Sequence, residues 1–512
     1  MKNNNSCGKK QPKTYLPWRY VFAALITLAE IAAVVWLCWL VPLLWIAVAM
    51  ASWGCARVII LSKDRAENKL PWLMGVLLLP VAGVVLYVLF HSRRLPKKYE
   101  RRLAQLQNIT SPKGKDTALQ DLQQQAPQIA GQAKLLMEIA DTALFTNTAQ
   151  TYYSVGEEMW QGMLADLTKA QRFIFLEFYI IAESVFWDSI LEILTAKAAA
   201  GVEVRVIYDD LGSMLTLPGN YARTLRERGI MAVPFARPVG QVGCLLNLRS
   251  HRKLLVVDGR VGYTGGINLA DEYINKLPKH GHWKDTGLRL EGEAVWELTR
   301  LFLTDYGLTV KSPPQLKKEY FPSCRAIQAS GYVIPYGDGP RPVYKRRVSY
   351  RLIEQMLAGA ERSVYITTPY LIIDDQLCGD IENAALRGVD VRLMLPHIPD
   401  KKIILAMSRS YYPRLLRAGV KIYEYTPGFL HAKSCLVDGE SGIVGSVNLD
   451  SRSLKCYFES AVWMYRCEAL KALQADMEQI MEISMQIRPD SIPNGFVQRL
   501  ARRVARILEP LL

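Results

Sequence analysis

Three long apolar runs open the chain, Tyr20–Leu40, Leu43–Leu61 and Trp72–Phe90, and after them the pattern changes character. Each run approaches the roughly 20 residues that cross a bilayer, and apolar segments continue past any small-residue cleavage site, so these are retained anchors rather than a signal peptide. Basic residues precede the first run (Lys9, Lys10, Lys13, Arg19), follow the second (Lys63, Arg65, Lys69) and follow the third (Arg93, Arg94, Lys97, Lys98). Three full crossings cannot keep all three basic flanks on one side. Pro80 and Gly83 interrupt the third run, which is therefore expected to dip in and return, leaving the rest of the chain on the cytoplasmic face of a multi-pass membrane protein.

Beyond a Gln-, Lys- and Asp-rich stretch, periodicity of two alternates with helical periodicity. Phe173–Ile180 reads as a strand, Trp187–Ala200 as a helix, and Val202–Tyr208, just after Gly201, as the next strand. The same unit recurs as strand Val364–Tyr370, a helix to Arg387, Gly388, and strand Val389–Leu395. This predicts a duplicated α/β body: two halves, each a mixed sheet flanked by helices, related by a pseudo-twofold axis on which a shared site would lie. The expected divisions are a membrane anchor over 1–100, a linker over 101–138, a first half over 139–325, a second half over 326–490 and a terminal amphipathic helix over 491–512. In that last segment Phe496, Leu500, Val504, Ile507, Leu508 and Leu511 form one stripe, with Arg499, Arg502, Arg503 and Arg506 largely off it, as suits an anionic bilayer surface.

The chemistry is also duplicated. His251-x-Lys253-x4-Asp258 followed by Gly265-Gly266-x-Asn268 returns 180 residues later as His431-x-Lys433-x4-Asp438 followed by Gly445-Ser446-x-Asn448, in a chain with six histidines. Alternate residues of a strand share a face, so each motif presents an imidazole beside an ammonium. Two such pairs around one volume suit a phosphate diester. One His attacks phosphorus while the other protonates the leaving alkoxide and then deprotonates the incoming hydroxyl. The lysines and the Asn268 and Asn448 amides are expected to bind the non-bridging oxygens. No metal or cofactor is required. Asp258-Gly259 and Asp438-Gly439 read as hairpin turns, whereas Asp285 and Glu459, each downstream of a motif, are candidates to orient the His rings.

The net charge of +15 calls for an anionic partner, and its concentration beside apolar segments favours lipid over nucleic acid. Nine cysteines with no C-x-x-C pair give neither a disulfide framework nor a zinc site.

Both motifs resemble the HxKx4D signature of the phospholipase D superfamily. The wider chain, including Leu176-Glu177-Phe178-Tyr179, Gly265-Gly266-Ile267-Asn268, Asp271-Glu272-Tyr273-Ile274-Asn275 and Trp283-Lys284-Asp285-Thr286, is similar to bacterial cardiolipin synthases. That resemblance implies two phospholipase D-like halves and a phosphatidyltransferase that joins two phosphatidylglycerol molecules into cardiolipin and glycerol through a phosphohistidine-linked intermediate. It also implies a site of His251, Lys253 and Asp258 with His431, Lys433 and Asp438, with Ser446 facing Gly266 as an asymmetry between the copies. A phospholipase D that hydrolyses lipid is the nearest alternative, followed by a transferase that takes phosphatidylethanolamine as donor. A nuclease would need aromatics interleaved with basic residues, and a non-catalytic scaffold a damaged motif.

Overall fold

The computed structural model describes residues 18–41, 43–62, 66–90, 97–106, 109, 116–236, 248–310, 312, 314–322, 327–491 and 495. The expected amphipathic helix over 491–512 falls almost wholly outside them.

Among the described residues one helix, Leu43–Leu61, is long and apolar enough to cross a membrane. The third apolar run does not continue straight. It breaks at Leu79 into helices Ala66–Leu78 and Pro80–Phe90, and Trp72 meets Tyr87 edge-on with ring centroids 5.5 Å apart. Those two residues would lie about 22 Å apart along one helix, so the chain folds back. Gly83 permits the turn: a Cβ there would sit 2.1 Å from the Gly75 carbonyl oxygen.

The body holds two mixed sheets of matching order. The first runs Thr148–Tyr153, Gly287–Gly292, Val261–Gly265, Lys253–Val257, Phe173–Phe178, Glu203–Asp209, Met231–Phe235. The second repeats it as Tyr332–Asp338, Glu459–Tyr465, Ser441–Gly445, Ser434–Val437, Ser363–Thr367, Asp390–Pro396, Lys421–Tyr425, and adds Ser484–Ile487 at its edge. In each, two strand pairs joined through helices are parallel and the motif hairpin is antiparallel. The predicted βαβ units are present as Phe173–Phe178, Val185–Ala199, Glu203–Asp209 and as Ser363–Thr367, Asp375–Leu386, Asp390–Pro396.

One hydrophobic core spans both halves. Phe175, Leu254, Val256 and Leu288 of the first sheet join Leu436, Val444, Val462 and Met464 of the second, with Leu298 and Phe302 of helix Val295–Thr309 between them. That helix follows the first sheet yet packs also on Tyr332–Asp338, while its counterpart Glu468–Glu482 packs on Thr148–Tyr153. The Pro127–Ala140 segment, read from sequence as part of a linker, is a helix whose Leu136 and Ala133 are buried against the second half. Its weak periodicity hid a narrow apolar stripe.

Both Asp-Gly pairs close type I′-like hairpins, with φ of 55° at Asp258 and Asp438 and 63° and 71° at the following glycines. Each carboxylate then accepts three backbone N–H groups at the start of a neighbouring strand: Gln171, Arg172 and Phe173 for Asp258, and Glu361, Arg362 and Ser363 for Asp438. These aspartates tie the far end of each motif hairpin to the sheet. Asp258→Ala is therefore expected to cost about 1–3 kcal/mol of unfolding free energy, read by thermal denaturation, with a much smaller effect on turnover of the folded protein.

Candidate active site

His251 and His431 stand just before their hairpins, and each is docked onto the opposite half. The His251 amide donates to the Phe458 carbonyl at 2.8 Å, and the His431 amide to the Lys284 carbonyl at 2.7 Å. Short parallel pairing of Gly428–Leu430 with His282–Lys284 fixes the second contact, and a bridge between Ser250 and Phe458 the first. The residues that follow those two carbonyls are Asp285 and Glu459. As a result the acids cross over: His251 Nδ1 lies 3.0 Å from both Glu459 oxygens, and His431 Nδ1 lies 2.6 Å from Asp285 Oδ2.

Both carboxylates are fully buried. Burial acts to raise the Asp285 pKa, but Lys433 and His431 outweigh it and hold the group below the ordinary carboxylate range. Asp285 is therefore an acceptor, so the His431 Nδ1–H donates to it and Nε2 keeps its lone pair for the site. Lys433 Nζ, 2.7 Å from the same Nδ1, cannot donate to a nitrogen already carrying its proton; it donates to the His431 carbonyl and balances the Asp285 charge. Lys253 Nζ likewise donates to the His251 carbonyl at 2.7 Å.

Burial and the paired ammonium groups depress the site's bases. His431 is lowered to about 3, chiefly by burial and then by Lys433, and His251 is lowered by burial. Lys253 falls to about 7 and Lys433 to about 8, again led by burial, with each half's lysine also felt by the other half's histidine. Both imidazoles are therefore neutral at pH 7. A bound anion would raise all four groups.

Glu459 is one carbon longer than Asp285, and the two copies adjust to that difference. Ser446 Oγ lies against Glu459 Oε2 and also accepts the Ser460 amide at 3.0 Å. At the matching position a Cβ on Gly266 would come within 2.0 Å of Asp285 Oδ1. The Gly266/Ser446 asymmetry is thus the backbone's adjustment to a short acid in one copy and a long acid in the other.

Asn268 is hydrogen-bonded within its own half. Its Oδ1 accepts the Ile180 amide at 3.1 Å and its Nδ2 donates to Tyr273 Oη at 2.7 Å. Asn448 is buried, with its Oδ1 free of hydrogen bonds among the described residues. Asp258 and Asp438 sit at the opposite ends of their hairpins. Sequence reasoning missed the aromatic walls: Tyr179 and Tyr457 flank His251 at 5.0 and 6.1 Å, and Tyr273, Trp283 and Phe429 flank His431 at 5.6, 5.4 and 5.6 Å. Trp283 and Tyr457 each stand two residues before an orienting acid, a register that could have marked them.

A family model described as the cardiolipin synthase, PLD-like domain matches twice, over residues 163–277 and 353–481, and a phospholipase D-nuclease N-terminal model matches 49–90. A cardiolipin synthase of Halalkalibacterium halodurans is 34% identical over 93% of this chain and 95% of its own length. One of Geobacillus kaustophilus is 35% identical over 89% and 91%. The crystal structure of a Haemophilus influenzae phosphatidylserine synthase shares the fold, with a TM-score of 0.55 at 15% identity over 74% of this chain and 98% of that one. With both copies of the motif whole and the resemblance running from the apolar helices through the second sheet, the chain belongs to the cardiolipin synthase family of phospholipase D-like proteins.

Proposed function

We propose that this chain is a membrane-bound phosphatidyltransferase that converts two phosphatidylglycerol molecules into cardiolipin and glycerol. The observation that carries the reading is the crossed pairing, which supplies two neutral imidazoles, each oriented by a buried acid, beside two lysines. One Nε2 attacks the phosphorus of the donor, a P–N bond forms, and the P–O bond to the head-group glycerol breaks. The other imidazole, protonated under the field of the bound diester, gives its proton to the leaving alkoxide. It then takes the proton of a second phosphatidylglycerol's hydroxyl, which attacks phosphorus and frees the first imidazole. Lys253 and Lys433 stabilise the charge of the pentacoordinate state.

Support for lipid rather than nucleic acid comes from the apolar helices ahead of the body and from the named activity of the relatives. The aromatic walls also suit transfer over hydrolysis, because they surround the imidazoles with apolar surface that excludes water.

With phosphatidylglycerol vesicles the protein is expected to form cardiolipin and glycerol, and His251→Ala and His431→Ala to lower the rate at least 10²–10⁴-fold. Phosphatidic acid as the product would identify a hydrolase instead. Turnover only with phosphatidylethanolamine present would identify that lipid as donor.

The lysine shifts predict a pH dependence. An ammonium binds the diester only while protonated; with pKa values near 7 and 8, that charge is complete below about pH 6 and lost as pH rises through 7–8. Because kcat/KM reports the free enzyme, it should fall on the alkaline side with a first midpoint near 7, far below the value of an ordinary lysine. A profile flat to pH 9 would contradict this electrostatic account.

A further inference from the structure

The two motif histidines are not supported alike. His431 lies between Leu430 and Ala432, whereas His251 lies between Ser250 and Arg252, and both of those side chains reach into a buried ionic cluster. Ser250 Oγ donates to Glu177 Oε1 at 2.5 Å. Arg252 donates to Asp305 Oδ2 at 2.6 Å, to Tyr344 Oη at 2.8 Å and, through Nε, to the Glu459 carbonyl at 3.0 Å. The Ser250 amide and Arg249 are both held by Asp209. All of these groups are buried.

The charges of this cluster do not close if every carboxyl is ionised. Among the described residues Glu177 and Asp305 share one cation, Arg252, while Asp209 has Arg249 and also feels Lys253, and all three carboxyls are buried. Asp209 is saturated, accepting the Leu211, Gly212 and Ser250 amides and Arg249. Asp305 has Arg252. Glu177 has only a hydroxyl. Its second oxygen and the second oxygen of Asp305 receive no hydrogen bond from any other described group, and the two side chains are in hydrogen-bond contact. Two carboxylates in contact cannot both ionise in such a place.

We infer that Glu177 and Asp305 share one proton, and that this acid–carboxylate pair is the positioning element of His251, holding Ser250 on one side of it and Arg252 on the other. Arg252 extends the hold to Glu459, the acid that orients the same ring, so one proton fixes both members of the His251–Glu459 pair. The second half has no equivalent among the described residues, since Thr367 stands where the first has Glu177 and its hydroxyl accepts the Ser434 amide at 3.1 Å. The other titratable groups bearing on the pair are Tyr344 beside Arg252, with Asp338 and Arg300 acting on Tyr344 in turn. Burial followed by the Asp305 charge pushes Glu177 well above the ordinary carboxyl range, consistent with a proton kept at neutral pH.

This reading concerns the site described above and relies on the transfer activity for one of its two tests. Infrared spectra of the purified full-length protein at pH 8 should show the carbonyl stretch of a protonated carboxylic acid, and the Glu177→Gln variant should lack that band. Absence of the band in the parent, or its persistence in the variant, would overturn the shared proton whatever the enzyme's substrate proves to be. In the transfer assay, Glu177→Ala should lose at least tenfold in kcat with little change in KM, and Glu177→Gln, whose amide accepts from Ser250 and donates to Asp305, should restore most of it. Should the alanine variant not fold, Ser250→Ala removes the link alone and should show the same kcat loss. Full activity in the alanine or Ser250→Ala variant, or no rescue by glutamine, would overturn the positioning role.

Discussion

Everything at the centre of this molecule depends on each half holding the other half's imidazole. A neutral histidine can accept a proton at Nε2 only if Nδ1 keeps its own, and here that proton is fixed by an acid from across the pseudo-twofold axis. Neither half has a complete site. The shared core and the exchanged helices Val295–Thr309 and Glu468–Glu482 follow from the same requirement, because an error of about 1 Å in the docking of the halves would separate acid from base.

Burial gives the site its chemistry and sets its electrostatic demands. Removing Asp285 and Glu459 from water is tolerated because Lys433, Lys253 and the imidazoles face them, and the same burial lowers the lysines into the physiological range. The anionic diester of the proposed reaction would favour the protonated forms of these groups. Around it, Tyr179, Tyr457, Tyr273, Trp283 and Phe429 supply apolar walls. On the His251 side the cluster of Glu177, Asp305, Arg252 and Ser250 adds a rigid footing that His431 lacks.

Much of this was legible in the chain. The duplicated βαβ units, the motif pairs, the break at Pro80 and the candidacy of Asp285 and Glu459 all follow from local pattern, which the strand and helix periods carry directly. The crossing of the acids was not legible, because Glu459 lies 208 residues from His251 and order along the chain does not say which half a segment docks on. The partners of Asn268 were not legible for a related reason: Tyr273 lies close by in sequence but Ile180 lies at the end of another strand, and only the fold brings both to its amide. The turn role of the two aspartates was readable from Asp-Gly alone, while the family signature pulled them toward the chemistry.

The most direct measurement is a titration of the histidine ring nitrogens by nuclear magnetic resonance in the parent, Glu459→Gln and Asp285→Asn. Each carboxylate raises the pKa of the imidazole it touches. Neutralising Glu459 should therefore lower His251 further and leave His431 nearly unmoved, and neutralising Asp285 should do the reverse. A Glu459 variant that shifts His431 instead would show that each half serves its own histidine and would contradict the crossed site.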